Sequence, residues 1–407
     1  MIDKTIKHYL GDNPPSARLL YGADVREGLK KVADSSIQTI CTSPPYYGLR
    51  DYGTATWVGG DPNCKHFRDN KIPQHQKSGH VHMIGEAVGD SIYKDVCKKC
   101  GAKRVDAQIG LEDTIEGYID SMVSVFDACK RVLRKDGLLW VNLGDTYVSQ
   151  GGAKTEKSYM SANTGNSSNQ NLKVGARKPS QGLKPKNLIG IPWRVALALQ
   201  ADGWILRNDI IWTKDNPMPE SVRDRMTKAH EYVFMFAHPD SGGKYYFDQD
   251  AIREPICKGT HERNQYGWKN KQPMVSPVDK RGIIVNRNQL SEATLSKGRN
   301  KRTVWNVNPV SYSGAHFACW PPGLVKPMIL SASAPGDTVL DPFSGSATTG
   351  QVALSLGRNY VGTDLNEDYC KLAEGRLTGL KPSRKPKEEI KTEASTLDLF
   401  GSSVNGS

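Results

Sequence analysis

Short apolar runs and longer amphipathic stretches alternate along this chain. Ile37–Thr42 and residues 138–143, 204–213, 232–237, 338–340 and 360–363 are apolar and rich in β-branched or aromatic side chains. That pattern predicts buried strands. Residues 115–133 place Ile119, Met122, Val123, Phe126 and Val132 at helical spacing and end in basic residues ahead of Gly137, which predicts a helix. Residues 192–201 and 347–356 are two further helical candidates. Strands alternating with helices predict an α/β fold on a mainly parallel sheet, covered on both faces.

Polar stretches interrupt this alternation. Residues 59–104 are rich in His, Cys, Lys and Gly; residues 149–186 and 258–302 are basic and nearly devoid of large apolar side chains. Loops of such length carry function or lack fixed structure. Residues 381–407 turn Lys/Glu/Pro-rich and then Ser/Gly-rich, the composition of a solvated tail. No internal repeat is visible.

Two segments carry chemistry. Thr42-Ser43-Pro44-Pro45-Tyr46 follows the apolar run that begins at Ile37, which puts it at the carboxyl end of a strand, where open α/β sheets bind ligands. Two prolines stiffen the backbone and remove donors, leaving carbonyls to accept. Ser43 adds an acceptor and Tyr46 an aromatic face, so the segment suits a planar group bearing an NH2. A proline-rich turn with a surface tyrosine is the plainer reading. The second segment, Asp341-Pro342-Phe343-Ser344-Gly345-Ser346-Ala347-Thr348-Thr349-Gly350, joins a short strand to an apolar helix. Such a turn lets backbone approach a ligand closely. Asp364 ends the next short strand, a place suited to binding ribose hydroxyls, so a dinucleotide site stays open at this point.

Together these segments resemble the DNA amino-methyltransferases. Thr42–Tyr46 looks like their catalytic motif, an Asp, Asn or Ser followed by Pro-Pro and an aromatic, so Ser43, Pro44, Pro45 and Tyr46 are the implied catalytic residues. Asp341–Gly350 is similar to their cofactor motif, with Asp341, Phe343, Ser344 and Gly345 matching and Ala347 standing where a second glycine is usual. His316 and Phe317 lie in a segment similar to the one that covers the methionine end of the cofactor. Asp364 sits where the family binds ribose, and Asp24 where a residue reaching the adenine edge is expected. Catalytic motif first and cofactor motif last is the order of the family's beta group.

The resemblance implies a Rossmann-like methyltransferase fold over residues 1–380, with a mostly parallel seven-stranded sheet that has one antiparallel strand and carries helices on both faces. It implies S-adenosylmethionine as methyl donor, double-stranded DNA as substrate and flipping of the target base. Serine ahead of Pro-Pro-Tyr is commoner in the cytosine-N4 enzymes, which favours cytosine N4 and keeps adenine N6 as the alternative. Methylation at cytosine C5 requires a nucleophilic cysteine, usually after proline, and no Pro-Cys pair occurs. A non-catalytic zinc-containing DNA-binding protein on the same fold is the reading from another class.

Cys64 and His66, followed by Cys97 and Cys100 with Gly101 after them, have the spacing of a structural zinc site. His75, His80 or His82 would substitute for His66. A polar insert over residues 59–107 has little else to fold around. Residues 149–186 and 258–302, with Lys173, Arg177, Lys178, Lys184, Arg299, Lys301 and Arg302, are candidates for target recognition; surface loops without such a role are the alternative. Residues 212–219 resemble a family loop near the target base, and Arg223 and Arg225 are candidate phosphate contacts. Thr396-Leu397-Asp398-Leu399-Phe400 resembles the peptide by which bacterial proteins dock on the replicative sliding clamp, with Thr396 in place of the usual glutamine.

Composition agrees. Lys and Arg number 55 against 43 Asp and Glu, a formal charge of +12 over 407 residues, which suits a polyanionic partner. No apolar run approaches the ~20 residues of a membrane span, and the first ten residues lack the apolar core of a secretory signal. The expected location is the cytoplasm, where eight cysteines stay reduced and clustered ones serve metals. Oligomeric state has no signature in the sequence.

Overall fold

A computed structural model describes residues 1–7, 14–48, 54–66, 93, 96–148, 182–259, 262, 292–309 and 320–379. Its strands are β1 (Ile2–Lys7), β2 (Ser16–Tyr21), β3 (Ile37–Thr42), β4 (Thr56–Val58), β5 (Lys103–Val105), β6 (Leu133–Leu143), β7 (Ile205–Thr213), β8 (His230–Ala237), β9 (Val304–Asn306), β10 (Thr338–Asp341) and β11 (Asn359–Asp364). The helices are α1 (Val25–Leu29), α2 (Ile115–Val132), α3 (Ile191–Ala201), α4 (Glu292–Lys297), α5 (Pro322–Ala332), α6 (Thr348–Ser355) and α7 (Asp368–Thr378).

Nine strands form one sheet in the order β1-β2-β11-β10-β3-β6-β8-β7-β9. From β2 to β7 this is the expected seven-stranded sheet, in which β8 alone runs antiparallel to its neighbours. The sheet is widened by β1, antiparallel on β2, and by β9, parallel on β7. All six residues of β3 are buried, as both-face coverage requires of a central parallel strand. One apolar core joins α1, α2 and α3 to the sheet, and a second joins α5, α6 and α7 to its other face.

Local chemistry sets the helix ends. Thr114 accepts from the Gly117 amide at the start of α2, Glu116 lies in its first turn, and Lys130 and Arg131 lie in its last. That arrangement satisfies orphan amides and the helix dipole. Asp145 accepts the amides of Gly190 and Ile191, at 3.0 Å each, ahead of α3. Its N-cap, Gly190, has φ +77°, a conformation that favours glycine.

Parallel strands β2, β11, β10, β3 and β6 all end at one edge of the sheet, at Tyr21, Asp364, Asp341, Thr42 and Leu143. β3 leads on toward β6 on one side, whereas β10 leads to β11 on the other. Crossovers leaving in opposite directions open a crevice between β3 and β10. Among the described residues no helix is long and apolar enough to cross a membrane. His316, Phe317, His75, His80, His82, the tail with Leu397–Phe400, and most of the two basic inserts lie outside the described residues.

Candidate active site

The crevice deepens into a cleft of about 890 Å³, open solvent included. Its walls include Ser43 and Pro45 from the end of β3, Asp341, Phe343, Ser344 and Gly345 from the turn after β10, Asp364 from β11, and Asp24. Both motifs therefore meet in one cavity. Among the described residues three carboxylates line it, and no Lys, Arg or His does.

Asp341 ties the motifs together. Its buried carboxylate accepts from Thr42 Oγ1 at 2.7 Å, Thr349 Oγ1 at 2.6 Å and the Phe343 amide at 3.1 Å. Burial pushes its carboxyl up to about 6, against the pull of those donors. Asp364 is partly covered at the cleft wall and accepts from the Gly345 amide at 2.7 Å and the Asn366 amide at 2.9 Å. One acceptor position on each of its oxygens is left for a ligand hydroxyl. Desolvation pushes this carboxyl, too, up to about 6.

Ser344 lines the cleft and also holds the turn in place. Its hydroxyl is buried and bonds Tyr21 and Tyr360, each at 2.7 Å, so the side chain fixes the turn to β2 and β11. Gly345 (φ +50°) and Ala347 (φ +59°) both adopt left-handed backbone conformations, which explains why a glycine is usual at the second position. Asp24 caps α1, and its carboxylate is held by Arg26 through the amide and two guanidinium bonds of 2.7 and 2.8 Å. The guanidinium keeps its carboxyl below the usual range.

On the catalytic side, Ser43 Oγ donates to Asn142 Oδ1 at 3.0 Å, and Tyr46 OH lies 2.8 Å from the same oxygen and 2.5 Å from Glu231 Oε2. Asn142 Nδ2 donates to the Tyr232 carbonyl at 3.0 Å and approaches Glu231 Oε2 at 3.3 Å. Fixing the amide nitrogen on a carbonyl turns Oδ1 toward both hydroxyls. Burial, and then the Glu231 charge, push the Tyr46 phenol well above its ordinary value, so it stays protonated. Lys214 pairs with Glu231 and lies 4.1 Å from the Trp212 ring centre. The loop beginning at Trp212 is thereby anchored to the same network. Pro44 is buried, and the Pro45 carbonyl is taken by Tyr118 OH at 2.9 Å.

The candidate metal ligands also converge, with the ligand atoms of Cys64, His66, Cys97 and Cys100 all within 4.8 Å of one another. Arg225 lies over the Tyr147 ring at 3.9 Å and pairs with Glu220. Sequence reasoning missed Asn142, Glu231 and Gly144. The available signal for Asn142 was a polar residue at the end of a buried strand, ahead of Gly144-Asp145. Glu231 had none.

A family model described as DNA methylase, for the N6/N4 methyltransferases, matches residues 37–375. The type II methyltransferase M.Cfr9I of Citrobacter freundii is 37% identical over 360 residues, covering 88% of this chain and 87% of the relative. M.SmaI of Serratia marcescens is 36% identical over 378 residues, covering 93% and 96%. Among solved structures, the PvuII DNA methyltransferase (cytosine-N4-specific) superposes with a TM-score of 0.49 at 15% identity, covering 91% of this chain and 88% of that one. Fold and site define an α/β protein whose strand tips bring the Ser43–Tyr46 loop to an acidic cleft. The chain belongs to the DNA methylases of the N6/N4 amino-methyltransferase family.

Proposed function

We propose that the chain methylates the N4 amine of cytosine in double-stranded DNA, using S-adenosylmethionine and a flipped target base, with a structural zinc ion on Cys64, His66, Cys97 and Cys100. The observation that carries the catalytic reading is the bond from Ser43 Oγ to Asn142 Oδ1. A hydroxyl whose proton is spent on Asn142 turns its lone pairs outward and accepts. An amine conjugated to a base ring is a poor nucleophile, and hydrogen bonds from it to acceptors beside the cleft localise its lone pair. Positioning and electrostatics then supply the rate without a covalent intermediate.

S-adenosylmethionine supplies an electrophilic methyl on a sulfonium. A cationic ligand suits a cleft whose described lining includes Asp24, Asp341 and Asp364 and no Lys, Arg or His, whereas the pyrophosphate of a dinucleotide would meet like charge at Asp364. Asp364 has acceptor positions for ribose hydroxyls, and Phe343 and Trp320 offer apolar walls. Cytosine is favoured by serine at the head of the motif, which is commoner in the cytosine-N4 enzymes that the segment resembles. Tritium transfer from labelled S-adenosylmethionine to duplex DNA tests the enzyme reading. The wild-type chain labels DNA and Ser43→Ala is slowed about 100-fold or more; a wild-type chain that binds DNA without labelling it supports the non-catalytic alternative.

A further inference from the structure

We infer that a zinc ion held by Cys64, His66, Cys97 and Cys100 braces one wall of the cofactor cleft, so that metal and cofactor bind with positive coupling. The coupling rests on the reading that the cleft takes S-adenosylmethionine; the metal site does not. Cys64 Sγ and Cys97 Sγ are 3.7 Å apart, and Cys100 Sγ and His66 Nδ1 are 3.5 Å apart. Bonds of ~2.3 Å to sulfur and ~2.0–2.1 Å to nitrogen at tetrahedral angles separate the ligand atoms by about 3.8 and 3.5 Å respectively. A disulfide would need about 2.05 Å.

The surroundings are built for these ligands. The Gly101 amide donates to the Cys97 carbonyl at 2.7 Å and the Cys97 amide to the Ala102 carbonyl at 2.8 Å, which closes a tight turn around the cysteine pair. A Cβ on Gly60 would lie 2.8 Å from Cys100 Sγ. Trp57 of β4 stacks on His66 with ring centres 4.2 Å apart and planes 16° apart. Among the described residues the segment has little apolar core of its own. β4 and β5 are three residues each, and Val58, Val96 and Val105 are all about half exposed or more. Short strands without an apolar core do not persist alone, and metal-binding free energy then serves as folding free energy.

The ribbon runs directly into the cleft. Thr54, just ahead of β4, donates to Asp106 Oδ1 at 3.0 Å, just after β5, and the Gln108 amide meets the same oxygen at 3.1 Å. Thr54, Ala107, Gln108 and Ile109 line the cleft beside Ser43 and Phe343. Farther along, the Gly48 amide donates to the Gly110 carbonyl at 2.9 Å, joining the insert to the chain that leaves the catalytic loop. Clamping the two strands at the metal therefore fixes Thr54 against Asp106, and with them that wall.

Zinc content and S-adenosylhomocysteine binding, measured by elemental mass spectrometry and calorimetry on the full chain, test this. The inference expects one zinc per chain. Chelation should weaken S-adenosylhomocysteine binding about fivefold or more, a typical coupling between linked sites, and zinc addition should restore it. By reciprocity, S-adenosylhomocysteine should slow zinc loss to the chelator. Cys100→Ser should reproduce the weakening without rescue; if that variant does not fold, the reversible chelation of the wild-type chain decides. A freshly purified chain without stoichiometric zinc overturns the site. Zinc removal that leaves binding unchanged overturns the bracing. A zinc-loaded chain that ignores S-adenosylhomocysteine contradicts both the cofactor reading and the bracing, while zinc content still decides the site on its own.

Discussion

Thr42 and Asp341, 299 positions apart in the chain, are joined by a 2.7 Å hydrogen bond between hydroxyl and carboxylate. The bond locks the last residue of β3 to the last residue of β10, on adjacent parallel strands. Asp341→Ala leaves Thr42 Oγ1, Thr349 Oγ1 and the Phe343 amide without this acceptor. An unsatisfied buried group costs ~1–3 kcal/mol, partly offset here by removal of a buried charge, so a net loss of about 2 kcal/mol is expected in urea unfolding. S-adenosylhomocysteine affinity should fall with it.

Asn142 is expected to act through Ser43 and Tyr46. Asn142→Ala removes the oxygen that both hydroxyls meet, so kcat should fall about 10- to 100-fold as Ser43 loses its orientation. Because Asn142 does not line the cofactor cleft, the KM for S-adenosylmethionine should change little. Steady-state kinetics with both substrates separate these effects.

Gly144 lies against the Tyr46 ring. A Cβ there would stand 2.6 Å from Cε2 of a tyrosine whose hydroxyl is already held by Asn142 and Glu231. Gly144→Ala must therefore tilt the ring or break its bonds, an overpacking cost of ~1–3 kcal/mol. Loss of methyl transfer with cofactor affinity retained is the expected outcome in parallel activity and binding assays.

Asp364 makes stability depend on pH in a defined direction. Desolvation raises its carboxyl from 3.8 to about 6, opposed by the amides of Asn366 and Gly345. Between about pH 4 and 6 the folded chain keeps a proton that the unfolded chain releases, so this contribution to stability is lost as pH rises through that window. Asp364→Asn lacks the effect. The stability of wild type minus that of the variant, from urea unfolding at stepped pH, should fall from pH 4 to 6 and level off above about pH 7. Asp341 titrates in the same range in both chains, so its contribution largely cancels.

Much of this architecture was legible in the sequence because the central strands are buried on both faces. β3, β6, β10 and β11 follow apolar runs within a few residues, and α2 follows its helical spacing and caps. Edge elements were harder. β1 pairs on one side only and has just two apolar residues among six, Ile2 and Ile6, and β9 is three residues long. α5 carries Pro327 within it, a residue that signals a break rather than a helix. In the site, Ser43, Asp341 and Asp364 were readable because strand ends and turns have a sequence signature. Glu231 was not, since only the antiparallel pairing of β6 with β8 carries it, 185 positions from Tyr46, to the tyrosine hydroxyl.

The central claim is that Ser43, with its proton committed to Asn142, accepts the amine of a flipped cytosine. Unmethylated duplex DNA treated with enzyme and S-adenosylmethionine, digested to nucleosides and analysed by mass spectrometry, tests it most directly. The expected product is N4-methyldeoxycytidine from the wild-type chain, with Ser43→Ala strongly depleted of it. N6-methyldeoxyadenosine as the product, or equal product from Ser43→Ala, would contradict it.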